Sequence, residues 1–123
     1  MSLFNSTFCY LSPVNNAGVS VIGIMEFIPM DIARNVLETN FFGTMRMMTA
    51  VIPHMKSRME GQVVNISSVS GLIGLPFEEH YTASKCAVEG FSEAMAPTLE
   101  KFNIRFDIYG NEKRNIIVKK LGL

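Results

Sequence analysis

The stretch QVVNISSVSGLIGLPFEEHYTASK, residues 62–85, passes from one hydrophobic pattern to another and decides the fold. Residues 62–68 are short and β-branched, which predicts a strand. Residues 69–79 contain Gly71, Gly74 and Pro76 and are typical of a loop. Small and apolar residues at helical spacing then predict a helix over residues 80–102. We therefore expect a strand, a loop and a helix in succession.

The flanking segments extend this order. Residues 8–15 are aromatic and apolar and predict a strand, in which Pro13 favours an edge position because it lacks a ladder donor. Residues 29–60 predict a long helix that Gly61 ends. Residues 103–110 alternate apolar and polar side chains, which predicts a half-buried strand. The resulting order, β-α-β-α-β, predicts an α/β layer with parallel strands.

The helices predict which surfaces are buried. Residues Met30, Ala33, Val36 and Leu37, then Phe41, Met45, Met48, Ile52 and Met55, form an apolar stripe typical of core packing. Ala83, Ala87, Gly90 and Ala94 form a small-residue stripe suited to close packing. We expect Cys86 to be a small core residue and Pro97 to remove a helical hydrogen bond, at about 3 kcal/mol unless the helix kinks.

The faces of the sheet should differ. Right-handed crossovers place both helices on one face, so part of the other face should be left in water. Val64 and Ile66, or Val63, are the residues that this would expose. In the last strand Arg105 and Asp107 alternate with apolar neighbours, so we expect that strand to tolerate one wet face.

Composition excludes several classes of function. The 123 residues form one domain at most, and Lys+Arg and Asp+Glu are both 11, which argues against a nucleic acid partner. Two His residues predict no metal site, and two Cys residues predict no disulfide framework. We find no signal peptide and no apolar run long enough for a transmembrane segment, so we expect a cytoplasmic protein.

Candidate chemistry lies at the carboxyl ends of the predicted strands. Tyr81 and Lys85 are four residues apart and share one helix face, where an ammonium lowers a phenol's pKa from about 10. Such a phenol can exchange a proton with an alcohol or a carbonyl. Ser68 ends one strand and Asn15, Asn16 and Gly18 follow another, at the edge where ligands bind in open parallel sheets. Taken alone, the Tyr81 and Lys85 motif could be an ordinary surface pair, and the Asn-Asn-Ala-Gly and serine motifs could be simple turns or loops.

Together, these motifs resemble the short-chain dehydrogenases/reductases. The matching pieces are NNAG (15–18), ETNFFGTMRMMTAVIPHM (38–55), GQVVNISSVSGLIG (61–74) and YTASKCAVEGFSEAM (81–95), and they cover residues 14–108. The spacing of 13 residues from Ser68 to Tyr81 is also the family's. The resemblance implies the central part of a Rossmann-like, doubly wound parallel sheet in a single incomplete domain over residues 1–123.

The resemblance also implies roles for individual residues. Tyr81 would be the general acid/base, Lys85 would assist it and bind the nicotinamide ribose, Ser68 would hold the substrate carbonyl, and Asn40 would anchor a proton-relay water. Tyr81 and Lys85 would thus contact the cofactor, NAD or NADP, and the further cofactor-binding positions would be Asn16, Ala17, Gly18, Ile66 and Ser67. The implied reaction is the interconversion of an alcohol and a ketone or aldehyde by hydride transfer to or from the nicotinamide cofactor.

The implied substrate is small and apolar. Residues 67–93 look most like the estradiol 17β-dehydrogenase and retinol dehydrogenase group, and Leu75 and Phe77 would suit a steroid or retinoid. Another small alcohol or ketone stays equally open. The family's glycine-rich turn (T-G-x-x-x-G-x-G), which holds the cofactor pyrophosphate, does not occur in this sequence. We therefore expect a chain truncated at both ends, with little turnover of its own.

Two further hypotheses follow from that expectation. In the family, helices matching residues 38–58 and 80–102 form a dimer's four-helix bundle, so the chain could be an inactive homo- or heterodimer partner of a full-length relative. Met45, Met48 and Ala94 are the candidates for the seam. Alternatively, the chain is a fragment of a gene product with no role of its own.

Overall fold

Four strands form one sheet in the order β1-β2-β3-β4. The computed structural model describes residues 12–110 and the backbone of Lys113–Asn115. Strands β1 (Val14–Asn15), β2 (Gly61–Ile66) and β3 (Ile104–Tyr109) pair in parallel, as predicted. Residues 8–11 of the predicted first strand lie outside the described residues. The sequence did not predict β4 (Lys113–Asn115), which pairs antiparallel with β3.

Helices connect the parallel strands. The predicted helix 29–60 consists of α1 (Met30–Leu37), a π-helical segment (Glu38–Phe42) and α2 (Gly43–Arg58). Helix α3 (Glu79–Glu100) follows β2 and continues through Pro97 as one unbroken helix. The π-helical segment was not predicted, because apolar spacing does not distinguish one widened turn from a regular α-helix.

The core lies between the sheet and both long helices. Alternate residues of β3, Ile104, Phe106 and Ile108, face it together with Val63 of β2. The helices contribute Met48, Ile52 and Met55 from α2 and Val88, Ala96 and Leu99 from α3. Because both helices pack into one cluster with one face of the strands, the predicted one-sided cover is confirmed. Val64 and Ile66, on the other face, are half-buried.

The expectation of a wet face on β3 is wrong at Asp107, which is completely buried. Its Oδ2 accepts a hydrogen bond from Gln62 Nε2 at 2.7 Å and pairs with Arg105 Nε at 2.9 Å. Gln62 and Arg105 are register partners on neighbouring strands, and each binds Oδ2 of the carboxylate. Asp107 thus lies in an interior strand, flanked by β2 and β4, and is bound by two polar side chains.

Three other predictions of local structure are corrected. The long helix ends at Met59, in the left-handed conformation (φ 54°), whereas Gly61 opens β2. A Cβ at Gly61 would lie 2.7 Å from Met55 Sδ, so close packing explains the glycine. Met30 is 64% exposed although Ala33 and Val36 of its stripe are buried. Cys86 is exposed rather than part of the core.

The packing of Phe106 generates a stability prediction. Phe106→Ala should lower the free energy of unfolding by about 3–5 kcal/mol, because it leaves a cavity at the centre of the core. Phe27→Ala is the control, since Phe27 is 76% exposed. Urea denaturation of the purified chain measures both. A loss at Phe106 no larger than that at Phe27 would contradict the described core.

Candidate active site

The predicted site residues meet at the carboxyl edge of the parallel strands. The turn of Asn16, Ala17 and Gly18 leaves the end of β1, while Ser67 and Ser68 leave the end of β2. Helix α3 begins across the same edge and brings Tyr81 and Lys85 to it. Parallel pairing aligns these strand ends, so residues distant in sequence share one edge.

Lys85 lies at the centre of this arrangement and is 4% exposed. Its Nζ donates a hydrogen bond to Ile66 O at 3.1 Å, which ties α3 to the last residue of β2. The same atom lies 5.6 Å from the centroid of the Tyr81 ring, as helical i, i+4 spacing allows. Burial lowers the pKa of Lys85 below the ordinary value, because the charged form loses its hydration.

Asn40 occupies the middle of the π-helical segment and is 1% exposed. Its Oδ1 accepts a hydrogen bond from Val19 N at 2.7 Å. Its Nδ2 donates to Val19 O at 2.8 Å and to Ser84 Oγ at 2.9 Å. The side chain thus joins the loop after β1 to α3. Widened π-helical turns are frequent at functional sites, where they redirect a side chain or a carbonyl.

The two predicted serines have different surroundings. Ser68 is partly exposed, and its Oγ accepts a hydrogen bond from Ser70 N at 3.2 Å as the cap of the short helix Val69–Gly71. Ser67 is buried, and its Oγ has no hydrogen-bond partner among the described residues. A Cβ added at Gly71 would lie 2.6 Å from that oxygen, so the glycine is needed for this close approach. The Ser67 side chain therefore packs toward Gly71.

The residues predicted to hold a dinucleotide fit such a group. Asn16, Ala17 and Gly18 are exposed. A Cβ at Gly18 would lie 3.6 Å from both Lys85 Nζ and Asn40 Oδ1, so the bare glycine leaves room beside these two groups. Lys85 has three N–H donors and uses one on Ile66 O, which leaves donors for hydroxyl oxygens such as those of a ribose.

Two buried polar contacts near the site were missed. Asn65 Oδ1 accepts from Asn15 Nδ2 at 2.7 Å, and Asn65 Nδ2 donates to Ser92 Oγ at 2.9 Å. Ser84 makes the corresponding contact to Asn40. One signal was available in the sequence: an asparagine within a β-branched strand is disfavoured unless its amide is bound. Ser84 gave no such signal, because serine is common near helix starts.

An apolar loop follows Ser68. Leu72, Ile73, Leu75 and Phe77 are all exposed. Phe77 has φ 66°, an unfavourable conformation for a bulky residue, and its carbonyl accepts a hydrogen bond from Gly23 N at 3.0 Å. Strained backbone is often retained at functional sites. This loop therefore places apolar side chains beside the polar cluster.

Parallel strands with a polar cluster at their carboxyl edge are typical of doubly wound α/β proteins. A sequence model described as short chain dehydrogenase matches residues 11–109. The chain belongs to the short chain dehydrogenase family. The predicted family and the predicted Rossmann-like fold are thereby confirmed.

Several characterised proteins are similar to this chain. Retinol dehydrogenase 8 of Bos taurus is 50% identical over 91 residues, which cover 74% of this chain and 29% of that protein. The 17-beta-hydroxysteroid dehydrogenase type 1 of Homo sapiens is 42% identical over 95 residues, covering 77% and 29% of the two chains. The chain thus spans less than a third of the length of these relatives.

Solved structures share the fold. A short-chain dehydrogenase from Streptomyces avermitilis superposes with a TM-score of 0.77 and 30% identity, covering 91% of this chain and 47% of that chain. A gluconate 5-dehydrogenase from Burkholderia cenocepacia, solved in complex with NADP and tartrate, gives a TM-score of 0.76 at 26% identity, covering 81% and 40%.

The described residues also bear on two other kinds of site, a metal centre and a membrane span. No group of three or more His, Cys, Asp or Glu side chains in this part of the chain could hold a metal ion. None of its helices is both long enough and apolar enough to cross a membrane.

The buried ammonium generates a pH prediction. The folded state releases the Lys85 proton at a lower pH than the unfolded state, whose lysine has a pKa near 10.5. Between these two values the unfolded state binds more protons, so stability rises with pH. The free energy of unfolding of the wild type, minus that of Lys85→Met, should therefore increase as pH approaches 10.5.

Urea denaturation at several pH values from neutral upward measures this difference. Lys101→Met is the matched control, because Lys101 is an exposed lysine at the end of α3. The free energy of unfolding of Lys101→Met, plotted against pH, should run parallel to that of the wild type. A Lys85→Met curve that also stays parallel would contradict the burial of a charged ammonium.

Proposed function

We propose that the protein is an NAD(P)-dependent oxidoreductase that interconverts an alcohol and a ketone or aldehyde, with Tyr81 as general acid/base. The observation that carries this proposal is the position of Lys85 Nζ, which is buried, bound to Ile66 O and 5.6 Å from the Tyr81 ring centroid. A buried cation beside a phenol stabilises the negative charge that develops on the phenol oxygen as its proton leaves.

The proposed mechanism assigns each residue a distinct task. Tyr81 takes the hydroxyl proton of an alcohol during oxidation and returns a proton to the carbonyl oxygen during reduction. Ser68, at the partly exposed start of the loop after β2, holds the substrate oxygen by a hydrogen bond. Lys85 stabilises the Tyr81 oxygen, and Asn40 anchors the water that relays protons to Lys85. These roles agree with the family's tetrad on the matching residues.

The cofactor supplies the hydride chemistry. When bound, the cofactor would accept a hydride from the alcohol carbon in its oxidised form, NAD(P)⁺, or supply one to the carbonyl carbon in its reduced form, NAD(P)H. We propose that Asn16, Ala17 and Gly18 line its adenosine side, and that the backbone at Ile66 and Ser67 flanks its nicotinamide. Lys85 would also bind the nicotinamide ribose with its remaining donors. NADP in the gluconate 5-dehydrogenase neighbour supports a nicotinamide cofactor without deciding its phosphorylation.

We propose an apolar substrate of steroid or retinoid size. The exposed apolar side chains of residues 72–77 lie directly after Ser68, where they would contact a hydrophobic substrate. The names of the relatives, a retinol dehydrogenase and a 17-beta-hydroxysteroid dehydrogenase, support the same class. The gluconate 5-dehydrogenase neighbour is named for a polar sugar acid, so the fold alone does not select the substrate.

Tyr81→Phe should separate chemistry from binding. The variant should lower the turnover of all-trans-retinal or estrone with NADPH or NADH by about 10²–10⁴-fold, because it loses the proton donor. Its affinity for NADPH, measured by fluorescence titration, should change by less than about twofold, since Lys85 remains. Tyr109→Phe removes the same hydroxyl from β3 and should retain turnover. Near wild-type turnover by Tyr81→Phe would refute the proposed role.

A second proposed function is dimerisation with a relative or with another copy through α2 and α3. A groove of about 380 Å³ separates these helices, and its lining is largely apolar: Met45, Met48, Thr49, Ile52, Pro53, Phe91 and Met95. Ala94 is exposed beside it, together with Gly90 of the small-residue stripe. Met48 is 1% exposed, so it forms the floor of the groove and offers a partner little surface.

Ala94→Arg should convert such a dimer to a monomer, because a buried unpaired guanidinium at the seam is unfavourable. The matched control is Ala50→Arg, an exposed alanine of α2 that does not line the groove. Sedimentation velocity of both variants and the wild type measures the mass. A wild-type chain that stays monomeric alone and with a full-length relative would refute this second function.

A further inference from the structure

The carboxamide of Asn40 is held in one orientation by its partners. Its oxygen faces the Val19 N–H at 2.7 Å, and its nitrogen donates to Val19 O and Ser84 Oγ. Rotating the amide by half a turn would place its NH₂ against the Val19 N–H and its oxygen against the Val19 carbonyl. Both contacts would be repulsive in a buried site, so Asn40 has a single satisfactory orientation.

Ser84 contributes a directional link to this network. Its Oγ donates to Tyr81 O at 2.7 Å and accepts from Asn40 Nδ2 at 2.9 Å. A hydroxyl has one proton, and this proton is used on Tyr81 O, so Ser84 presents a lone pair to Asn40. Ser84 is completely buried. The hydroxyl therefore connects the π-helical segment to the first turn of α3.

The orientation of Asn40 also affects the space around Lys85. Asn40 Oδ1 and Lys85 Nζ are each 3.6 Å from the position that a Cβ on Gly18 would take. Val19, which Asn40 binds through both backbone groups, directly follows Gly18. A change in the Asn40 amide would thus move the loop that borders the ammonium.

We propose that Ser84 is a positioning residue: its hydroxyl orients Asn40 and, through Asn40, holds the loop at Gly18 and Val19 beside the Lys85 ammonium. This inference rests on the proposed function, in which Lys85 and Tyr81 carry out the proton transfer. Ser84 itself contacts neither a reacting atom nor the proposed cofactor site.

The chain offers a matched control for this role. Ser92 is also a completely buried serine of α3, and its Oγ accepts from an asparagine amide, Asn65 Nδ2, at 2.9 Å. Ser84→Ala and Ser92→Ala therefore remove the same group from the same helix, and each takes one acceptor from a buried asparagine amide, although Asn40 Nδ2 keeps Val19 O as a second acceptor. They differ in whether that amide borders Lys85.

The test compares the two variants by two measurements. The first is the titration of Lys85, followed by NMR of the purified chain with ¹³C-labelled lysine. Its midpoint should shift in Ser84→Ala and should stay at the wild-type value in Ser92→Ala. The second is turnover of all-trans-retinal with NADPH. Ser84→Ala should lower kcat by about 10–100-fold and shift the pH profile of kcat. Ser92→Ala should keep the wild-type kcat and the wild-type pH profile.

Each outcome decides the proposal. An equal midpoint of the Lys85 titration in the two variants would overturn the proposal and make Ser84 an ordinary buried helix residue. Absence of turnover by the wild-type chain would bear on the proposed function alone, since the sequence lacks the glycine-rich turn that holds the cofactor pyrophosphate, and the Lys85 titration would still test the positioning role. If Ser84→Ala does not fold, Ser84→Cys takes its place, because a thiol nearly preserves the side-chain volume but forms only weak hydrogen bonds. Its Lys85 midpoint should shift in the same direction.

Discussion

The buried ammonium of Lys85 is the constraint on which the site depends. A charge removed from water is unfavourable unless nearby groups compensate it, and here the compensating group is the carbonyl at the end of β2. To make that bond, α3 must cross the carboxyl edge of the sheet, where the last residue of β2 presents its carbonyl. The same placement brings the Tyr81 ring near the ammonium and brings the loop after β1 over it. The Lys85–Ile66 contact therefore links the position of α3 to the proposed chemistry.

Buried asparagine amides connect the segments that the Lys85–Ile66 hydrogen bond does not join. Asn65 joins β1 to β2 and α3, and Asn40 joins the loop after β1 to the π-helical segment and α3. In both cases the acceptor on α3 is a serine with no exposed surface, Ser92 or Ser84. Since an unpaired buried amide is unfavourable, these bonds select one packing of the helices on the sheet edge. Polar contacts thus specify the geometry, while the apolar cluster around Phe106 provides most of the burial.

The two faces of the sheet are covered in different ways. On the helical face, side chains from α2 and α3 close over Val63 and Phe106. On the other face, Gln62 and Arg105 contact the carboxylate of Asp107, and Val64 and Ile66 remain half-buried. Parallel sheets usually have helices on both faces. In the described residues Gln62 and Arg105 bind the buried carboxylate, so the charged residue at this interior strand position has polar partners.

Periodicity and short motifs in the sequence were enough to predict the parallel β-α-β-α-β order, the helices around Met48 and Leu99, and the meeting of Gly18, Ser68, Tyr81 and Lys85 at one edge. They were enough because alternation and helical spacing are local properties, and because parallel strands bring their carboxyl ends together. The π-helical turn at Asn40, the antiparallel strand β4, the burial of Asp107 and the exposure of Cys86 depended on tertiary structure. Asn40 and Asp107 each have a partner distant in the chain, Val19 for Asn40 and Gln62 for Asp107. A hydrogen bond between residues 21 or 45 positions apart leaves no periodic trace, so only the folded chain decides it.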